Sequence, residues 1–101
     1  MAFKLKWSEE ALEDIESIAT YIEKDSPFYA KSVVSKFFEK AEILKNFAEL
    51  GRVVPETNDI NIREIFIYSY RLIYQINDDT ILFIAAIHGK RLLENHQQPT
   101  T

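Results

Sequence analysis

The sequence predicts a single α+β domain with the element order β-α-α-β-β-β. Two observations support this order. Apolar residues recur at helical spacing through residues 8–50, and the spacing changes to that of strands between residues 62 and 88. The chain has 101 residues, which is enough for one hydrophobic core and too few for two.

The first two elements are a short strand and a helix. Residues 3–7 alternate apolar side chains with lysine, as a half-buried strand does. Ser8 is a suitable N-cap for the helix, and Glu9 and Glu10 are favoured in its first turn by the helix dipole. Opposite the acidic face of this helix, an apolar stripe consists of Ala11, Ile15, Ile18, Ala19 and Ile22.

The second helix has the clearest periodicity in the chain. Ser26 can cap it, Pro27 suits its first position, and Gly51 is a natural C-terminal stop. The short link at residues 26–27 indicates an antiparallel hairpin of two helices. The apolar stripe consists of Ala30, Val33, Val34, Phe37, Phe38, Ala41, Leu44 and Ala48.

Three strands follow a loop at residues 52–61. They are predicted at 62–67, 70–76 and 81–88, where Ile, Phe and Tyr are frequent. The last strand is apolar on both faces, which favours a position inside the sheet. The domain should span residues 1–93, because residues 94–101 are polar, lack periodicity and are expected to form a flexible tail.

Composition excludes several functional classes. The net charge of −4 has the wrong sign for non-specific nucleic-acid binding. The absence of cysteine excludes disulfides and thiol catalysis and fits a cytoplasmic location. Neither His88 nor His96 lies in a cluster of acids, so no metal is expected, and no cofactor motif is found. No apolar run is long enough to span a membrane, and the N-terminus does not resemble a signal peptide.

All four arginines lie between positions 52 and 91. Arginine presents a planar charged fork that suits phosphate or carboxylate. We expect an odd-length turn around Ser69, which places Arg63 and Arg71 on one face near Arg91 and His88. A two-residue turn would instead separate Arg63 from Arg71. In the expected arrangement, the helices cover a face carrying Phe66, Tyr70, Leu72 and Tyr74.

Several motifs together resemble the RelE/ParE superfamily of bacterial toxins over residues 3–93. No single motif is specific, but their combination and order in one small chain are. They are Trp7-Ser8-x-x-Ala11-x-x-Asp14-Ile15-x-x-Ile18-x-x-Tyr21-Ile22, Gly51-Arg52-x-Val54-Pro55-Glu56, Ile62-Arg63-Glu64, Tyr70-Arg71-x-x-Tyr74 and His88-Gly89-x-Arg91.

This resemblance implies the toxin half of a type II toxin–antitoxin pair, with a helical hairpin packed on a small, mainly antiparallel sheet. The partner is a cognate antitoxin, which would bind the outward residues of both helices and Arg71. ParE-like members inhibit DNA gyrase and need no catalytic residues, and this branch is favoured because residues 52–89 contain no lysine. The expected binding residues are then Arg52, Arg63, Arg71, Tyr74, His88, Lys90 and Arg91.

Two alternatives remain open. A RelE-like member would cleave messenger RNA on the ribosome, which requires a base, a phosphate clamp and an acid. The candidates are Glu56 as base, His88 as acid and Arg63, Arg71 and Arg91 as clamps. The chain is otherwise a diverged, non-toxic interaction domain, in which these charges form ion pairs and the tyrosines pack in the core.

Overall fold

A computed structural model describes residues 2–93 as two helices packed on one face of a five-stranded sheet. The predicted tail at 94–101 lies outside the described residues. The predicted α+β class and element order are confirmed, with one added strand. In chain order the elements are β1 (Lys4–Trp7), α1 (Glu9–Glu23), α2 (Pro27–Leu44), β2 (Arg52–Val53), β3 (Ile62–Ile67), β4 (Tyr70–Asn77) and β5 (Thr80–His88).

The sheet has the strand order β1-β5-β4-β3-β2. β1 runs parallel to β5, and the other three pairings are antiparallel. This confirms the mainly antiparallel sheet and the interior position of the last strand. The added strand, β2, has only two residues, so the predicted loop contained no pattern long enough to reveal it.

Both helices begin where their capping residues predict. The Ser8 hydroxyl accepts the Ala11 N–H at 3.0 Å, and the Ser26 hydroxyl accepts the Tyr29 N–H at 3.1 Å. The second helix ends at Leu44, earlier than the expected stop at Gly51. The Lys45 carbonyl accepts the Phe3 N–H at 2.9 Å, so the chain turns towards the first strand.

The main core lies between the helices and the sheet. Leu72 and Tyr74 are buried there, and Tyr70 packs at its margin, as expected. Phe66 is not part of this core, because it points to the opposite face and is about half exposed. That opposite face carries a smaller apolar cluster of Val54, Ile73, Ala85 and Ile87, against which Ile62, Ile84 and Leu93 pack.

Candidate functional site

The turn between β3 and β4 decides where the arginines point. Ile67 pairs directly with Tyr70, so the turn consists of Tyr68 and Ser69 alone. Residues paired across antiparallel strands share a face. Arg63 therefore shares the helix-covered face with its cross-strand partner Tyr74. Arg71 shares the other face with its partner Phe66. The expected arrangement of Arg63 and Arg71 on one face is wrong.

Arg71 is the centre of a buried ion-pair network. Its side chain is 4% exposed, and the Glu64 side chain is fully buried. Arg71 Nη1 donates to Glu64 Oε1 at 2.7 Å, and Arg71 Nη2 donates to Glu56 Oε2 at 2.8 Å. The other Glu64 oxygen accepts a hydrogen bond from Arg52 Nε. The chain of charges Arg52–Glu64–Arg71–Glu56 is hereafter called the ion-pair network. Burial of these charges is tolerated because each has a bonded partner of opposite sign.

The Arg71 guanidinium bonds through both of its terminal nitrogens, whereas its buried Nε has no hydrogen-bond partner. Besides the two contacts above, Nη1 donates to Glu56 Oε1 at 3.2 Å, and Nη2 donates to the Arg91 carbonyl at 2.6 Å. Two N–H groups on each terminal nitrogen are therefore satisfied. The hydrogen bonds from Arg71, together with one from the Leu93 N–H, lower the pKa of Glu56 from 4.5 to about 2. The same carboxylate is the main cause of the raised pKa of Arg71.

The segment after β5 folds back beside this network. Gly89 N–H donates to the Ser69 carbonyl at 2.7 Å, and Lys90 N–H donates to His88 Nδ1 at 3.2 Å. Leu93 N–H then donates to Glu56 Oε2 at 2.8 Å. The exposed His88 ring lies edge-on to Tyr70, with 5.7 Å between ring centroids. His88 is thus engaged in closing the turn that follows its strand.

Arg63 and Tyr74 hold the link between α2 and β2. Arg63 Nη1 donates to the Gly51 carbonyl at 2.9 Å, and its Nε donates to the Ile60 carbonyl at 3.0 Å. The Tyr74 hydroxyl donates to the Ala48 carbonyl at 2.7 Å and accepts the Gly51 N–H at 3.0 Å. Because the Tyr74 side chain is completely buried, it has no surface for the partner contact expected of it.

Three of the expected binding residues do reach the surface on the side of the ion-pair network. Arg52, Lys90 and Arg91 surround a shallow depression whose floor includes Glu56 and Arg71. Arg52 also lies over the Phe66 ring, with its guanidinium carbon 5.2 Å from the centroid. We call Arg52, Lys90 and Arg91 the cationic surface. It stands out because the protein as a whole is acidic.

Two acids of the quoted motifs, Asp14 and Glu64, have structural roles that the sequence did not reveal. Glu64 entered the sequence analysis only as part of the Ile62-Arg63-Glu64 motif, whereas it is buried between Arg52 and Arg71. Asp14 Oδ2 accepts the Ala86 N–H at 3.0 Å, at a part of β5 beyond the end of its pairing with β1. Besides the motif, the position of Asp14 beside the apolar stripe of α1 was a signal, because an acid there faces the sheet.

Residues 2–93 contain no group of three His, Asp or Glu side chains able to hold a metal ion. In the same part of the chain, neither helix has the length and apolar character needed to cross a bilayer.

The sequence matches one family over residues 5–93, described as "ParE toxin of type II toxin-antitoxin system, parDE". No curated protein sequence matches the chain. The fold and the match define a type II toxin of the RelE/ParE superfamily. Within that superfamily, the chain belongs to the ParE toxin family.

Solved structures show the same fold at low sequence identity. The chromosomal ParDE toxin–antitoxin system from P. aeruginosa has a TM-score of 0.70 and 19% identity, covering 86% of this chain and 96% of that one. A mutant of the E. coli toxin RelE in the free state has a TM-score of 0.65 and 20% identity, covering 89% and 86%. The YoeB dimer from Staphylococcus aureus has a TM-score of 0.61 and 18% identity, covering 87% and 98%.

Proposed function

We propose that this toxin inhibits DNA gyrase through protein–protein contact, in the cytoplasm where gyrase acts. The observation that carries this proposal is the ion pair between Arg71 and Glu56. In the nuclease alternative, Glu56 is the candidate base and Arg71 is one of the three candidate clamps. In this chain they bind each other and the backbone instead of facing a substrate.

The chemistry of RNA cleavage also favours gyrase inhibition over nuclease activity. A general base works best when its pKa lies near the working pH, and Glu56 has a pKa of about 2. A phosphate clamp needs unsatisfied donors, whereas the terminal nitrogens of Arg71 are already bonded. Arg63 lies on the opposite face and binds backbone carbonyls. This separation of the candidate residues supports an inhibitor over a nuclease.

The cationic surface is the proposed region of contact with gyrase. Its three cations line one depression beside the ion-pair network, and Arg91 also borders α1 near Tyr21. Arginine with adjacent aromatic surface is frequent at protein interfaces, and Arg52 lies over the partly exposed Phe66 ring. Complementary charge would orient an acidic patch of gyrase on this surface.

A cognate antitoxin is the second proposed partner, as in the ParDE and YoeB–YefM systems with this fold. The two helices leave an open apolar groove lined by Ala19, Ala30 and Val34, with Phe28 exposed at its rim. β1 forms one edge of the sheet. An antitoxin could lay an amphipathic helix in the groove or add a strand to this edge. Arg71, expected to attract antitoxin acids, is buried and offers the antitoxin no surface.

The target is tested by adding purified toxin to two separate reactions in parallel. One reaction contains gyrase and relaxed plasmid, and the other contains translating ribosomes with a defined message. We expect loss of supercoiling and an intact message. Cleaved message with normal supercoiling would establish the nuclease instead. If neither reaction is affected and induced expression leaves growth unchanged, the chain is a non-toxic interaction domain.

The contact surface is tested by charge reversal. Lys90→Glu reverses one exposed charge of the cationic surface and should weaken gyrase inhibition by about tenfold or more. Lys31→Glu makes the same change on α2, away from this surface, and should leave inhibition unchanged. Equal inhibition by the two variants would place the gyrase contact elsewhere.

A further inference from the structure

Residues 91–93 are held against the sheet at two backbone atoms. The Arg91 carbonyl accepts a hydrogen bond from Arg71 Nη2, and the Leu93 N–H donates one to Glu56 Oε2. The Leu93 side chain packs against the apolar cluster on the face opposite the helices. The chain therefore crosses back over this face immediately after the last strand.

A charged pair is chemically suited to this role. A backbone segment lying against a sheet presents both a donor and an acceptor, and buried backbone groups of either kind need a partner. Arg71 supplies the donor and Glu56 the acceptor, while the two are also bonded to each other at 2.8 Å. Apolar side chains at these positions could pack against the segment but could satisfy neither backbone group.

The pair also connects three parts of the chain that are distant in sequence. Glu56 belongs to the loop after β2, Arg71 to β4, and the bonded segment follows β5. Glu64 adds β3 to the same network. The position of the segment relative to the sheet is consequently set by one side chain from β4 and one from the loop after β2.

We propose that Arg71 and Glu56 are positioning residues, which fasten residues 91–93 and thereby fix how Lys90 and Arg91 are presented to the target. The attachment of residues 91–93 to the sheet by these two side chains, here called the fastening, does not depend on the identity of the target. Its consequence for inhibition rests on the proposed function, since Lys90 and Arg91 belong to the cationic surface.

Glu56 is the better residue to change. Removing Arg71 would leave Glu64 buried without its main partner, whereas removing Glu56 leaves the Arg71–Glu64 bond at 2.7 Å intact. Glu56→Ala should therefore release the segment without unfolding the domain. Glu56→Gln keeps an oxygen that can accept the Leu93 N–H and should restore part of the fastening. Glu13→Ala removes an exposed acid from α1 and serves as the matched control.

Fastening is measured by amide hydrogen exchange and by limited trypsin cleavage after Lys90 and Arg91. In Glu56→Ala, we expect exchange at Leu93 and cleavage in this segment to rise by about tenfold or more. Exchange in β4 and β5 should remain slow, and Glu13→Ala should behave as the unchanged protein. Unaltered exchange and cleavage in Glu56→Ala would refute the fastening. A loss of protection throughout the sheet as large as that at Leu93 would show instead that Glu56 supports only the fold as a whole, which would also refute it.

The consequence for inhibition is measured on the same variants with gyrase. We expect Glu56→Ala to inhibit at least about tenfold more weakly, with partial recovery in Glu56→Gln. Full inhibition by a variant whose segment is released would overturn the presentation role. If the unchanged protein fails to inhibit gyrase, the proposed function is wrong, and the exchange and cleavage results still decide the fastening.

Discussion

At the scale of single residues, the arginines of this toxin act first on the protein itself. Arg63 binds carbonyls of two loops, and Arg71 binds two carboxylates and a carbonyl. The sequence showed that the arginines are concentrated in one part of the chain. It could not show that Arg71 is paired with Glu56 and Glu64. Those acids lie 15 and 7 residues from Arg71 in sequence, and only the pairing of strands brings them together.

Replacing Arg71 by alanine should lower the free energy of unfolding by about 3–5 kcal/mol, because the buried Glu64 carboxylate loses its main partner. Urea denaturation of the purified variant measures this change. Arg52→Ala is the comparison, since it removes the other partner of Glu64 but from a side chain that is 60% exposed. Its loss should be clearly smaller. Equal losses would mean that Glu64 depends on both arginines alike.

At the scale of elements, the β3–β4 hairpin explains the one error of orientation. Two-residue hairpin turns usually contain Asn, Asp or Gly, because they require a positive φ. Here Tyr68 adopts a φ of 54°, which is uncommon for an aromatic residue. The strand boundaries were predictable from apolar spacing, but nothing in Tyr68-Ser69 signals so tight a turn. A one-residue difference in turn length then moves Arg63 to the other face.

Replacing Tyr68 by asparagine should stabilise the domain by about 0.5–1 kcal/mol, because asparagine tolerates the left-handed conformation better. Thermal and urea unfolding measure the difference. Ser69→Asn is the control in the same turn, where positive φ is not required. A lower stability of Tyr68→Asn would show that the ring contact with Tyr29, 5.9 Å away, contributes more than the conformational strain costs.

At the scale of the whole molecule, capping residues and apolar spacing were sufficient to predict the layers, and the family match accords with them. The sequence did not predict the two-residue strand β2 or the end of α2 at Leu44. Both depend on bonds to distant backbone, from Phe3 and from β3. Long-range bonds of this kind leave no local periodicity.

The ion-pair network should make folding stability depend on acid. The pKa of Glu56 falls from 4.5 to about 2 on folding, so its contribution is present above about pH 5 and lost as pH falls towards 2. A shift of this size corresponds to about 3 kcal/mol. Urea denaturation between pH 2 and 6 should show a shallower decline for Glu56→Gln than for the unchanged protein. Glu13→Gln should decline as the unchanged protein does, and a parallel decline of all three would contradict the assignment.

The contact between Asp14 and Ala86 has a consequence for the solubility of the protein. Beyond Phe83, no other strand within residues 2–93 pairs with β5 on the side of β1. An open strand edge invites the same edge of another molecule, which is how many proteins begin to aggregate. Asp14 Oδ2 accepts the Ala86 N–H at that edge. A second copy approaching there would meet a backbone donor that is already bonded, so the helix that builds the core also discourages this edge from pairing with another molecule.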